Sequence, residues 1–207
     1  MTDSRKDQSR REHYGIFYGI HPLPPEDGRP LVLVHGNCQA ESVRVLLSAA
    51  GSGVRTVRVP PAHELVTDDL THLQRLLAQV DLLVSQPVRD DYRGLPLGTR
   101  QLRDAAPAAA RVVIFPVIRW AALHPFQVIV RSPEAGEPPI VPYHDLRTLS
   151  LVAGGAGAMP VLPAPTAVRA VREHSLGQLR ERQQRHGAID VTDLLLAAGR
   201  GACQVIN

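Results

Sequence analysis

Hydrophobic and polar positions alternate along the chain in a pattern that predicts a parallel sheet interleaved with helices. Short apolar runs rich in β-branched residues predict strands at 31–35, 54–59, 81–88 and 111–118. Stretches with apolar residues at helical spacing lie between them, at 40–50, 64–80 and 99–105. Near-continuous apolar strands that alternate with helices are typical of a parallel sheet covered on both faces. We therefore expect an α/β fold with an open, mostly parallel sheet flanked by helices.

The C-terminal part of the chain carries helical patterns and no further strand pattern. We expect helices at 143–155, 165–187 and 189–199. Pro165 near the start and Gly187 past the end are typical boundaries for the longest of the three. Asp190 is a candidate N-cap for the last one. The Gly-rich stretch 153–160 lacks the lysine and spacing of a phosphate-binding loop, so we interpret it as a connection.

The N-terminal segment differs in composition from the rest of the chain. Residues 1–28 are polar, basic and then proline-rich, which predicts a flexible basic arm. Aromatic residues at positions 14, 17 and 18 give part of this arm something to dock. Residues 29–207 are long enough to bury a core of their own, so we expect a single α/β domain there.

Composition and charge exclude several classes of protein. The formal net charge is +3 and aromatic residues make up 4% of the chain, which argues against a nucleic-acid-binding surface. We expect no membrane span, because no apolar run approaches the roughly 18 to 20 residues that a spanning helix needs. The charged N-terminus does not resemble a signal peptide, so we expect a cytoplasmic protein. Homo-oligomerisation is left open.

Polar residues follow each predicted strand. In an open α/β sheet, ligands bind beyond the carboxyl ends of the strands. The residues at these ends are His35 to Gln39, then Pro60, Ala62 and His63, then Ser85 and Gln86, and finally Trp120, His124 and Pro125. Because they bring a thiol, imidazoles, carboxamides and a hydroxyl toward one edge, the sequence predicts a site for polar chemistry.

Cys38 holds a special position among these residues. It lies where a strand gives way to a helix, and the N-terminus of a helix favours an anion such as a thiolate. The same backbone N–H groups could instead hold a phosphate or an oxyanion, and a small residue that packs the turn is an equally good interpretation. Cys203 is the only other cysteine, and we expect neither a disulfide nor a metal site.

The histidines admit both a chemical and a structural interpretation. His124, in RWAALHPF, is a candidate general acid or base, although a solvent-facing loop residue is the simpler alternative. For His35, His63 and His144 the structural interpretation is favoured. Ser85 and Gln86 suit an oxyanion or carbonyl clamp. The loop that contains Tyr92 and Thr99 is expected to line the pocket.

Four segments together resemble the WcbI-like family of capsular polysaccharide-biosynthesis enzymes. They are VHGNCQAESVRVLL, DLLVSQPVRDDYRGLPLGTRQL, VIFPVIRWAALHPF and PYHDLRTL, and the resemblance runs from about Leu31 to Asn207. The GNCQ quartet is its most specific part. The resemblance implies an α/β fold distantly similar to SGNH hydrolases and an association with coenzyme A (CoA) and acetyl-CoA. It also implies acyl transfer from CoA to a sugar hydroxyl.

Carried over residue by residue, the resemblance makes Cys38 the candidate nucleophile and His124 its acid or base. The candidate cofactor-binding residues are Gly36, Asn37, Gln39, Ser85 and Gln86, and the CoA phosphates are expected to meet arginines such as Arg89, Arg93 or Arg119. The acceptor is a saccharide or another small molecule. The family pattern leads us to expect a further His-Pro segment and helix beyond Asn207. An ester or thioester hydrolase and a non-catalytic CoA- or nucleotide-binding module are the alternatives.

Overall fold

The fold is described from a computed structural model of the chain. The described residues are 2–49, 51, 53–130, 134, 143–154 and 163–202. The chain divides into two compact units, the first made of residues 1–117 with 182–207 and the second of residues 118–181.

The first unit contains a four-stranded parallel sheet. Its strands are β1 (Leu31–His35), β2 (Arg55–Val57), β3 (Leu82–Ser85) and β4 (Arg111–Ile114). Their order across the sheet is β2-β1-β3-β4, and every neighbouring pair is parallel. The helices around it are α1 (Thr2–His13), α2 (Cys38–Ala49), α3 (Leu70–Leu77) and α4 (Thr99–Ala105). The predicted fold class is therefore confirmed.

Both faces of β1 are buried, as a parallel strand between helical layers requires. Leu31 and Leu33 point to one face and join a core with the apolar side of α3. Val32 and Val34 point to the other face and join a core with Ala40 of α2. The uninterrupted apolar run LVLV is thus explained by a strand that contacts a helix layer on each side.

Several elements end earlier than the apolar pattern predicts. The predicted strand 111–118 ends at Ile114, because Pro116 has no N–H to donate to a neighbouring strand. The predicted helix 64–80 is two 3₁₀ turns, Ala62–Glu64 and Thr67–Asp69, followed by α3. The Asp69 carboxylate accepts the N–H of Val66 at 3.1 Å, which holds the second turn in this form.

The N-terminal segment, for which the flexibility of the arm stays a prediction, contains a helix and a docked aromatic part. Thr2–His13 form α1, and aromatic residues of the segment that follows join the buried core of the first unit, to which the segment belongs. Phe17 is fully buried and Tyr18 is 8% exposed. Arg75 of α3 donates to the carbonyl oxygens of Ile16 and Phe17 at 2.9 and 2.8 Å. The predicted domain boundary near residue 28 is not tested by these contacts and stays a prediction.

The second unit contains a small antiparallel ladder that the sequence did not predict. Strands β5 (Gln127–Val128) and β6 (His144–Asp145) pair with each other, and α5 (Leu146–Val152) follows directly. Asp145 caps α5 by accepting the N–H of Arg147 at 2.8 Å. The predicted helix 143–155 is therefore shorter, and the predicted connection 153–160 lies mostly outside the described residues.

The C-terminal helices agree with the predicted helical part. α6 (Pro165–His186) starts in the second unit and ends in the first, and α7 (Thr192–Ala202) belongs to the first. After α6 the chain returns to the sheet, where the N–H of Ile189 donates to the carbonyl of Ile114 at 2.8 Å. Among the described residues, no helix is both long and apolar enough to cross a membrane.

Candidate functional site

The direction of strand order changes at β1, and this fixes where a ligand is expected. The chain moves from β1 to β2 on one side, whereas β3 and β4 lie on the other side. The ends of β1 and β3 are adjacent, because His35 pairs with Ser85. In open α/β sheets the crevice beyond such a switch point is the usual ligand site. The two residues that follow these strand ends are Gly36 and Gln86.

Gly36 and Gln86 fit together closely. Gly36 has a φ of +152°, which is in the region that favours glycine. A Cβ at this position would lie 2.8 Å from Cβ and 2.7 Å from Cγ of Gln86. Because carbon atoms cannot approach so closely, only glycine lets the Gln86 side chain lie across the turn.

The Gln86 carboxamide holds the residues on both sides of Cys38. Its Oε1 accepts the backbone N–H of Asn37 at 2.8 Å, and its Nε2 donates to Oε1 of Gln39 at 3.3 Å. The Gln86 side chain is almost completely buried. These contacts make Gln86 a support that shapes the turn, and the oxyanion-binding or cofactor-binding role predicted from the sequence stays a prediction.

Cys38 is the first residue of α2 and lies within this supported turn. Its thiol is free and the residue is exposed. Cys203 lies outside the described residues. An exposed thiol between two held neighbours is available to a ligand, which agrees with the predicted position of the nucleophile, and its catalytic role stays a prediction.

Ser85 and Thr99 support the backbone at Gln86. The carbonyl oxygen of Gln86 lies 2.8 Å from Oγ of Ser85 and 2.7 Å from Oγ1 of Thr99. Thr99 Oγ1 also accepts the N–H of Val88 at 2.9 Å. Ser85 is fully buried, so its hydroxyl contacts protein atoms. The predicted contact between Ser85 and a cofactor is untested, and the geometry gives Ser85 a supporting role.

His35 lies beneath the turn as a buried neutral histidine. Its Nε2 donates to the carbonyl oxygen of Leu97 at 2.9 Å, and the residue is 1% exposed. Burial lowers the pKa of His35 to about 4, because the charged ring would lose its hydration, although the bond to Leu97 opposes this shift. These contacts agree with the structural interpretation of His35 that the sequence favours.

His63 makes a contact with the turn that the sequence did not predict. Its Nδ1 lies 3.1 Å from Oδ1 of Asn37. The 3₁₀ turn that carries His63 is joined to the same strand end, since the N–H of Ala62 donates to the carbonyl of Gly36 at 2.8 Å. The exposed Asn37 side chain is therefore held from the β2 side of the turn.

A pocket with a volume of about 680 Å³ opens beside Asn37 in the first unit. Tyr92 and Thr99 line it, as the sequence predicted for their loop. Most of its charged lining is basic, and we call it the arginine-rich pocket. The basic residues that line it are Arg89, Arg100, Arg103, Arg185 and His186.

The charges in this pocket favour an anionic ligand. Asp90 is the only carboxylate among the described residues that line it, and it pairs with Arg100. Within the described part of the chain, Arg89 and Arg185 have no ion pair. Arg93 is not part of the lining, and Arg119 belongs to the second unit. Of the arginines predicted to meet phosphates, only Arg89 therefore lines this pocket.

Four of these basic residues were not predicted from the sequence. Arg100 and Arg103 project from α4, whereas Arg185 and His186 end α6. For the two residues of α6, the sequence carries a run of arginines between positions 169 and 185, but this run does not show that the end of the helix reaches the sheet edge.

His124 lies in the second unit, where it lines another pocket of about 480 Å³. His144 lines the same pocket, and its Nδ1 is buried without a hydrogen-bond partner among the described residues. Arg147 pairs with Asp145 there and stacks over Phe126 at 4.8 Å. Because His124 and Cys38 belong to separate units, their predicted partnership stays a prediction. The described residues contain no cluster of three or more potential metal ligands.

Together, the fold and the site define an open parallel α/β protein with an exposed thiol at its switch point. The family described as "Polysaccharide biosynthesis enzyme WcbI" matches residues 31–207. The chain belongs to this family of polysaccharide biosynthesis enzymes, so the resemblance noted in the sequence is confirmed. No curated protein matches the chain in a sequence comparison.

One solved structure has a similar fold. It is described as "Structural insights into WcbI, a novel polysaccharide biosynthesis enzyme", in its native form without a disulfide bond between CoA and one of its cysteines. The TM-score is 0.65 at 22% sequence identity. The match covers 83% of this chain and 61% of that chain. At this identity the likeness shows the fold.

Proposed function

We propose that this protein is a CoA-dependent acyltransferase. It moves an acyl group, most simply acetyl, from acyl-CoA to a hydroxyl or amine of a saccharide or other small acceptor. The observation that carries the proposal is the free, exposed thiol of Cys38 at the switch point of the sheet. The similar solved structure, which is described with CoA and one of its cysteines, supports CoA as a ligand of this family.

The first half of the proposed reaction transfers the acyl group to the enzyme. The Cys38 thiolate attacks the carbonyl carbon of the thioester, and a new carbon–sulfur bond forms as the carbonyl oxygen becomes an oxyanion. The bond from that carbon to the CoA sulfur then breaks. CoA leaves as a thiolate and takes up a proton, so that Cys38 carries the acyl group as a thioester.

The second half transfers the acyl group to the acceptor. The acceptor oxygen or nitrogen attacks the Cys38 thioester and gives its proton to a base. The Cys38 sulfur then leaves as a thiolate. His124 is the candidate base that the family resemblance supplies, and its exposed position in the second unit leaves the ring accessible.

Hydrogen-bond donors near Cys38 suit the oxyanion. Asn37 precedes Cys38, lines the arginine-rich pocket and carries an exposed carboxamide. Donors that are already oriented in the resting enzyme stabilise a developing oxyanion without further reorganisation. We assign this role to the Asn37 amino group, because the Gln86 carboxamide is occupied in supporting the turn.

The arginine-rich pocket suits the phosphates of CoA. Guanidinium groups bind phosphate oxygens through pairs of charge-assisted hydrogen bonds. Arg89 and Arg185 are the strongest candidates, since Arg100 and Arg103 contact Asp90 and Asp104 respectively. The first unit therefore offers the proposed CoA or acetyl-CoA donor a thiol that can accept the acyl group and a basic pocket that can bind the phosphates.

The test compares Cys38→Ala with Cys203→Ala, which removes the other thiol. Each purified protein is incubated with acetyl-CoA and a panel of monosaccharides and amino sugars, and free CoA and acetylated products are separated by chromatography. We expect acceptor-dependent transfer in the wild type and in Cys203→Ala, and its loss in Cys38→Ala. Equal CoA release with and without acceptors would indicate a hydrolase, and CoA binding without turnover would indicate a binding module.

The role of His124 has its own measurement. We expect His124→Gln to slow product formation while the acetyl group still reaches Cys38, because the base acts in the second half of the reaction. His174→Gln is the matched control, since His174 is also an exposed histidine of the second unit but lines neither of the two pockets. Full transfer activity in His124→Gln would assign the base to another residue.

A further inference from the structure

The orientation of the Asn37 carboxamide follows from its contact with His63. Oδ1 of Asn37 is only an acceptor, so Nδ1 of His63 at 3.1 Å must be the donor. In this arrangement His63 carries its proton on Nδ1, and the Asn37 amino group points away from the ring. Asn37 also lines the arginine-rich pocket, and its amino group makes no hydrogen bond to the described residues, so its two N–H donors can face a ligand there.

The 3₁₀ turn Ala62–Glu64 that carries His63 is held at both ends. At one end, the N–H of Ala62 donates to the carbonyl of Gly36 at 2.8 Å. At the other end, the carbonyl of Glu64 accepts from Nη2 of Arg10 at 3.1 Å. His63 thus lies between an anchor in the candidate site and an anchor from the N-terminal segment.

Arg10 is itself fixed by the buried carboxylate of Asp69. Its Nη2 and Nη1 lie 2.8 and 3.4 Å from the two carboxylate oxygens, and the Tyr18 hydroxyl donates to the same carboxylate at 2.9 Å. Burial raises the pKa of Asp69, but the bonds from Arg10, Val66 and Tyr18 together outweigh it and hold that pKa below its usual value. The carboxylate therefore stays charged and keeps Arg10 in place.

Arg10 and Tyr18 lie outside the part of the chain that matches the family, which begins at residue 31. Their contacts are consequently a feature of the N-terminal segment of this chain. They connect that segment to Asn37 through Glu64 and His63, in a continuous series of hydrogen bonds and one short turn within the first unit.

We propose that His63 is a positioning residue that directs the Asn37 amino group toward the carbonyl oxygen of a bound thioester, and that Arg10 holds His63 in place from the N-terminal segment. The identity of this ligand rests on the proposed acyltransferase function. The geometric part, in which Arg10 sets the state of His63 and His63 sets the orientation of Asn37, is independent of that function.

The geometric part is tested by proton–nitrogen correlation spectra of the imidazole and side-chain amide groups. We expect His63 to be protonated at Nδ1 in the wild type, and added CoA to shift the Asn37 amide signals. Arg10→Met should give a mixture of His63 tautomers. Arg11→Met is the matched control, because Arg11 also contacts the Tyr18 ring, at 5.4 Å, but makes no ion pair in the described part of the chain.

Two results of these spectra would overturn the proposal. One is a wild-type His63 protonated at Nε2 alone, the nitrogen that lies 3.8 Å from Oε1 of Glu64, because Asn37 would then have to donate to Nδ1. The other is an Arg10→Met spectrum in which the His63 and Asn37 signals are the same as in Arg11→Met.

The catalytic part is tested by the rate at which acetyl-CoA acetylates Cys38. We expect His63→Leu and Arg10→Met each to slow this step about 10-fold, because a misdirected donor loses its value in the transition state. CoA affinity should stay within about 2-fold of the wild type, since neither side chain lines the pocket. His63→Gln, whose amide can donate to Asn37, should recover part of the rate.

The double variant distinguishes a connected pathway from two separate effects. If Arg10 acts through His63, then adding Arg10→Met to His63→Leu should slow acetylation no further. Independent, multiplying effects would overturn the proposal. Absence of Cys38 acetylation in the wild type would contradict the proposed function instead, and the spectra would then decide the positioning role alone.

Discussion

Replacement of Gly36 by alanine is the sharpest test of how the turn is built. The added Cβ would lie 2.8 and 2.7 Å from two carbon atoms of Gln86, and the φ of +152° would be strained for alanine. A buried overlap costs about 1 to 3 kcal/mol, and a sparsely populated backbone conformation costs a similar amount. We therefore expect Gly36→Ala to lower the free energy of unfolding by about 3 kcal/mol or more.

The assay is urea and thermal unfolding, with Gly28→Ala as the matched control. Gly28 also has a positive φ, of +82°, but no atom lies within 4 Å of the Cβ that alanine would add. At this chain length, the loss at Gly36 corresponds to a fall in Tm of about 6 to 12 °C, and the control should lose about 2 to 4 °C.

A double variant separates the overlap from the backbone strain. In a Gln86→Gly background the side-chain atoms that Gly36→Ala would meet, including Cβ of residue 86, are all absent, so this change should then cost only about as much as Gly28→Ala, near 1 kcal/mol. Equal losses for Gly36→Ala and Gly28→Ala in the otherwise wild-type protein would refute the account of the turn.

Three further predictions concern the surroundings of the turn. Burial lowers the pKa of His35 to about 4 in the folded protein, whereas its pKa in the unfolded chain is about 6.5. The contribution of neutral His35 to the free energy of unfolding is therefore fully present above pH 6.5 and decreases as the pH falls from there toward 4. The free energy of unfolding should fall by about 2 kcal/mol between pH 7 and pH 5, as measured by urea unfolding at each pH. This loss should disappear in His35→Gln, and an unchanged pH profile in that variant would contradict the assignment. Thr99→Val should lower the free energy of unfolding by about 1 to 3 kcal/mol in the same assay, because the N–H of Val88 loses its acceptor. A neutral result would show that water replaces the hydroxyl. Arg185→Met should weaken CoA binding about 10-fold by calorimetry, whereas Arg111→Met, at the opposite end of the sheet, should not; equal affinities would remove Arg185 from the phosphate site.

The fold was predictable because its strands and helices carry local periodic signals. The apolar run 31–35 and the helix 99–105 match the structure residue for residue. The ends that differ have local causes, such as Pro116 after β4 and the Asp69 carboxylate before α3. The ladder of β5 and β6 was missed because two residues per strand are too few to show a period.

The site was predictable only in part, because its contacts join residues far apart in the sequence. GNCQ and Gln86 stood out as polar residues at strand ends. The contact between His63 and Asn37 spans 26 residues, and no pattern within either segment indicates it. The arginines of α4 and α6 looked like ordinary solvated helix surface, and only the tertiary structure places them around one pocket.

The central claim is that Cys38 carries the acyl group. The most direct measurement is the intact mass of the protein after rapid mixing with acetyl-CoA in the absence of an acceptor, followed by peptide mapping of the adduct. We predict one acetyl group per chain on Cys38, no adduct in Cys38→Ala, and loss of the adduct when an acceptor is added. Full transferase activity in Cys38→Ala, with no acetylated wild-type protein at any time, would contradict this account.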